Sequence, residues 1–203
     1  MYDLITVKDL KQQLQILKAY KKERVDLGKA VVKNNLLPDL IALCHPESGV
    51  SHQACWILEQ SFLLYEKDCY PYIKEIATLF TLSINSSGMR SLTKISSILV
   101  KKFYKVSKNK SATTDQLSTY FQRSIREQIV EGCFQEMMDH PDKTANLAWS
   151  TLTLYELGKE FEWIYPTLTP LIESILNDDP KGYRSCGSNT LLKIKGVEKV
   201  NSR

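Results

Sequence analysis

Apolar residues recur at intervals of three and four along most of the chain. Val7, Leu10, Leu14 and Leu17 form one such stripe, and Thr6 stands before it as a helix cap. Val25, Leu27, Ala30 and Val31 predict a second helix that stops near Asn34-Asn35. Leu37, Leu40, Ile41 and Cys44 predict a short third. Pro38 opens it, because its missing N–H has no helical partner in a first turn. His45 to Gly49 is a turn by composition. The helix after it should bury Ala54, Ile57, Leu58 and Phe62, with Trp56 to one side. A polar turn at Glu66-Lys67-Asp68 leads to Ile73, Ile76, Ala77 and Phe80, with Pro71 in the first turn of their helix.

Asn85 to Gly88 breaks the chain, and Leu92, Ile95, Leu99, Phe103 and Val106 make a further stripe. A polar loop from Lys108 to Thr114 follows, and Thr114 or Asp115 can cap the next helix. That long helix carries Phe121, Ile125, Ile129, Cys133 and Met137 at every fourth position. Ala145, Ala148, Trp149, Leu152 and Tyr155 predict the next inward face. Ile164, Leu168, Ile172 and Ile175 predict the one after Gly158. Asn177 to Pro180 is a stop. A last helix from Tyr183 carries Leu191, Leu192 and Ile194, too apolar to stand free, and residues 198–203 read as a frayed tail. No segment alternates as a strand does.

Three landmarks occur twice. His45-Pro46 and Tyr70-Pro71 stand 25 residues apart, as do His140-Pro141 and Tyr165-Pro166, displaced by 95. Gly88-Met89-Arg90-Ser91 returns 94 residues later as Gly182-Tyr183-Arg184-Ser185. Repeated helical units bury their apolar faces on one another. The pattern therefore predicts an all-α fold, with residues 1–203 as a single helical-repeat domain. It would be an α-α superhelix of about four helix pairs with an internal duplication, its copies at 45–91 and 140–185. In repeat length, helix pairing and duplicated landmarks, residues 24–195 resemble the HEAT-like, armadillo-type superhelices.

Composition narrows the picture little. The 203 residues suffice for one sizeable core, and scarce Gly (8) and Pro (7) speak against a turn-rich β fold. A formal charge of +4 falls short of the concentrated basic footprint of many nucleic-acid-binding domains. Cys44, Cys55, Cys69, Cys133 and Cys186 form no CxxC, and several lie on apolar stripes, as buried thiols in a reducing compartment would. The start lacks a basic region followed by an apolar run, and no stretch matches a membrane span. The expectation is a soluble, cytoplasmic protein without a membrane partner.

Candidate chemistry is sparse. His45 and His140 suit helix ends, where an imidazole meets the dipole. No ligand cluster, nucleophile elbow or phosphate loop is present, so no catalytic residue, metal or cofactor is expected. Arg90 and Arg184 each follow a glycine near a helix start, where a cation opposes the dipole. Either Glu59 and Glu156 on the preceding helices pair with them, or they line a concave face and grip an anion or acidic peptide. Trp56, Trp149 and Tyr183 join them as candidate binding residues. Lys101, Lys102 and Lys105, in a lysine-rich run, are the nucleic-acid candidates.

Ala54 to Glu59 and Thr151 to Glu160 resemble a family of short bacterial helical proteins, some labelled adenylosuccinate lyase. The lyase loop resembles S-S-x-M-P-x-K-x-N-P. Ser86-Ser87-Gly88-Met89-Arg90-Ser91 begins alike, but the Pro, Lys and Asn-Pro are absent, so that activity is not carried over. The leading expectation is a non-enzymatic module that binds a protein or peptide on a concave helical surface. The alternative is a nucleic-acid-binding protein similar to the HEAT-like glycosylases for alkylated DNA bases, which needs a carboxylate beside aromatics in a basic groove.

Overall fold

The computed structural model describes residues 6–108, 116–178 and 181–201. The Val106 side chain, the loop after Lys108 with its cap at Thr114 or Asp115, and the stop at Asp179-Pro180 lie outside the described residues. The fold is all-α: the described residues form helices and turns and no strand. In chain order the α-helices are α1 (Val7–Ile16), α2 (Lys21–Lys33), α3 (Leu37–Leu43), α4 (Ser51–Leu64), α5 (Glu66–Cys69) and α6 (Ile73–Thr78). They continue with α7 (Ser86–Lys108), α8 (Gln116–Tyr120), α9 (Arg123–Asp139), α10 (Thr144–Leu157), α11 (Ile164–Asn177) and α12 (Arg184–Asn201).

Local chemistry sets several boundaries as the sequence predicts. Thr6 caps α1 in a capping box with Asp9. Asn34 ends α2, its amide donating to the Ala30 carbonyl, and Asn35 follows in the left-handed region at φ 57°. Pro38 stands in the first turn of α3, whereas Pro71, expected in the first turn of the helix that carries Ile73, lies in the 3-10 turn Tyr70–Tyr72 before α6.

The helices pack in two rows. In the first, α2 lies on α4, α4 on α7, α7 on α10 and α10 on α12. In the second, α3 backs α4, α9 backs α10, and α11 fills the angle between α10 and α12. Within that second row, α6 and α9 meet closely, whereas the first row is in contact from end to end. A joint ties the chain at the far end of α7. Arg126, 8% exposed, donates from Nε and Nη2 to Glu160 at 2.9 Å each and from Nη1 to the Phe121 carbonyl. Tyr104 of α7 donates to the same carboxylate at 2.7 Å.

The structure corrects further expectations. Glu66 to Asp68 is not a turn but the start of α5, where Glu66 accepts from Tyr70 and Lys102. Phe121 is buried but stands before α9 rather than in it, and its carbonyl is taken by Arg126. Leu192 is 67% exposed, while Ile194 alone of the last apolar trio is fully buried. The backbone at 198–201 continues α12 instead of fraying. The inward face of α10 was misplaced most. Ala145 is exposed, and Ala148, Trp149, Leu152 and Tyr155 are only half-buried. Asn146, Leu147, Ser150, Thr151, Thr153 and Leu154 are the residues inside. Four helices surround α10, so a single apolar stripe is the wrong template for it. Thr153 goes inside with its hydroxyl donating to the Trp149 carbonyl, and Asn146 with its amide bonded to Glu136 and the Ser86 carbonyl.

Candidate functional site

Trp56 and Trp149 occupy matching places in their helices. α4 and α10 are each 14 residues long, and Trp56 and Trp149 are the sixth residue of each. α7 lies between these helices. Trp56 is half-buried and donates from Nε1 to the Ser87 hydroxyl of α7 at 3.2 Å. The His52 ring meets it edge-on at 5.0 Å. Burial lowers the His52 pKa, so that ring adds no charge at neutral pH. Ser87 and Arg90 are one turn apart on α7 and share a face. Arg90 is exposed and forms no ion pair with any described residue.

The predicted partners of the arginines are engaged elsewhere. Glu59, 3% exposed, takes Lys94 at 2.6 Å and the Ser91 hydroxyl at 2.7 Å. Glu156 pairs with Lys159. A cation one turn further into α7 thus stands where Arg90 was expected, because Lys94 and not Arg90 faces α4 beside Ser91. Arg184 opens α12 and is exposed. Tyr183, grouped with it by sequence, is a core residue. It is fully buried, its hydroxyl lies 2.6 Å from that of Thr151, and burial pushes the phenol up to about 12. The landmark glycines also differ: Gly88 is inside α7, whereas Gly182 precedes α12 at φ 91°, a conformation that favours glycine.

Sequence reasoning missed Arg24. It lies in the first turn of α2, and its guanidinium sits over the Trp56 ring, 5.6 Å from the ring centre. The guanidinium makes no hydrogen bond or ion pair with a described residue, and its Nε is shut off from solvent without a partner. Only an arginine among lysines, in Lys21-Lys22-Glu23-Arg24, hinted at it. On the other side of α7, Ala145, Trp149, Leu152 and Tyr155 give α10 an apolar, partly exposed shelf. Lys159 and Lys193 lie over the Tyr155 ring.

The lysine run is less free than its composition suggests. Lys101 and Lys105 are exposed, but Lys102 donates to Glu66 and lies over the Tyr70 ring. Burial works against the Lys102 charge, and its bonds to Glu66 and Tyr70 outweigh it, so its pKa is raised. Trp163, 52% exposed, stacks on Phe134 of α9 in the second row.

A second candidate is a cleft of about 560 Å³ between residues 80–85 and α9, lined by Glu131, Glu136, Asp139 and His140. Both Glu136 oxygens are occupied there, by Asn146 Nδ2 at 2.5 Å and by the His140 ring at 3.1 Å. Asn146 also donates to the Ser86 carbonyl, so these groups join α7, α9 and α10. Among the described residues no group of three or more His, Cys, Asp or Glu side chains could hold a metal ion. No helix among them is long and apolar enough to cross a membrane. The five thiols are free, four of them buried. Comparison with protein-family models, with curated proteins and with solved structures finds no match.

Proposed function

We propose that this chain is an interaction module that binds a protein or peptide segment across the exposed side of the first helix row. The observation that carries the reading is the placement of Trp56 and Trp149. They are half-buried at the same position of two equal helices, on either side of α7 with its exposed Arg90. Half-buried tryptophans and arginines are the residue types that anchor interfaces, since they supply large contact areas from side chains already held in place. The row geometry supports it too. In a HEAT-like superhelix, the reading adopted here, the continuous row of α2, α4, α7, α10 and α12 would be the concave side that carries these residues. Five free thiols suit work in the cytoplasm.

A random peptide library displayed on phage tests the reading. Selection on the intact protein should enrich peptides whose affinity falls about tenfold or more in Trp149→Ala and in Arg90→Ala, each a loss of at least 1.4 kcal/mol. Enriched peptides that bind both variants as well as wild type would place binding elsewhere and end this reading.

A further inference from the structure

We infer that Arg24 and Arg90 form a two-pronged seat for a carboxylate of an acidic protein segment, with Trp56 as the wall between them. This rests on the interaction reading above and names the chemistry of its partner.

The two guanidiniums come from the helices that flank α4 in one row. Arg24 of α2 lies on the Trp56 ring of α4, and Trp56 bonds to Ser87, one turn before Arg90 on α7. Among the described residues no acid pairs with either cation. Glu59, the carboxylate nearest in sequence to Trp56 on α4, is buried and locked to Lys94 and Ser91. Glu23 and Asp26 share α2 with Arg24 but form no ion pair with it. An arginine offers five N–H donors in a planar fork that matches a carboxylate. In Arg24 none of the five is used by a described residue, and Nε is closed off without a partner. Its contact with the indole holds the fork in place before any ligand arrives, which lowers the ordering cost of binding.

The rest of the face selects a peptide over a phosphate polymer. A nucleic-acid strand wants a continuous track of free cations. Along α7, Lys94 and Lys102 are already tied to Glu59 and Glu66, which interrupts such a track. Beyond Arg90 lies the shelf of Ala145, Trp149 and Leu152 on α10, which suits apolar side chains. An acidic residue followed by apolar ones fits the charge and the shelf together.

The test uses the intact protein and three probes: a short peptide alternating Glu and Leu, its Gln-Leu counterpart, and oligothymidylate. Binding is followed by the indole N–H signals of the three tryptophans, with that of Trp56 assigned from Trp56→Phe. The Glu-Leu peptide should shift the Trp56 signal and bind about tenfold or more tightly than the Gln-Leu peptide at low salt. Arg24→Gln and Arg90→Gln should each remove most of that preference with the spectrum otherwise unchanged. Arg24→Lys, which keeps the charge but loses the fork, should restore it only in part. Equal affinity for the two peptides, an unaffected Arg24→Gln variant, or tighter binding of oligothymidylate through Trp56 overturns the inference. Library peptides that need Trp149 but ignore Arg24→Gln overturn the carboxylate seat and leave the interaction reading standing. A library without any row-dependent peptide removes both.

Discussion

At the residue scale, the chain places side chains by what surrounds them more than by their hydropathy. Gly132 of α9 shows how tight those surroundings are. A Cβ there would fall 2.5 Å from the Phe80 Cβ, an atom fixed to its backbone. Gly132→Ala gains roughly 1 kcal/mol in helix propensity but forces α9 away from Phe80, in the 3-10 turn after α6, at an overpacking cost of about 1–3 kcal/mol. The contact is with a Cβ rather than a flexible end, so the cost wins. Urea unfolding should show a lower midpoint for Gly132→Ala with the slope unchanged; a midpoint at or above wild type would contradict this. Residues of this kind explain what the sequence hid. Arg90 was legible as a cation needing a partner, but Glu59 goes to Lys94 because the lysine, one turn on, is the one that faces α4. Tyr183 reads as a surface aromatic beside an arginine, yet Thr151 offers its hydroxyl an internal bond, so the ring can go inside.

At the element scale, stripes predict a helix well when one face packs. The stripes of α3 and α11 lie inside as expected, whereas in α1 Leu10 and Leu14 are buried and Val7 is 42% exposed. α10 defeats the method because it is enclosed by four neighbours. Its half-exposed apolar shelf was counted as core, and its buried Asn146, Ser150, Thr151 and Thr153 as surface. Periodicity records hydropathy, and only contact shows which polar groups are satisfied. The joint between α9 and α10 carries a pH signature for this reason. Burial lifts the Glu136 carboxyl above its usual 4.5, outweighing the bonds from Asn146 and His140 that favour its charge. A raised value in the fold means that folding takes up a proton between the unfolded value and the raised one. Stability contributed here is therefore lost as pH rises through that window. Glu136→Gln removes the titration. Its stability relative to wild type should rise with pH from about 4.5 upward and then level off. Denaturant unfolding of both proteins from about pH 4 to about pH 8 checks this, and parallel curves would contradict it.

At the scale of the whole molecule, the all-α class is the feature that sequence and structure share. The landmark copies flank helices of equal length, and α4, α7, α10 and α12 follow one another in a continuous row. The face proposed for binding could not be read in advance, because it depends on which helices neighbour one another in the row. The account's central claim is that position in the row, not exposure, makes a tryptophan an anchor. The three tryptophans separate these directly. Trp163 is the most open of them, at 52%, but belongs to the second row. The affinity of a selected peptide should fall about tenfold or more in Trp149→Ala and in Trp56→Ala, and stay within about twofold in Trp163→Ala. A peptide that loses its affinity in Trp163→Ala and keeps it in Trp149→Ala would put the binding surface on the other row.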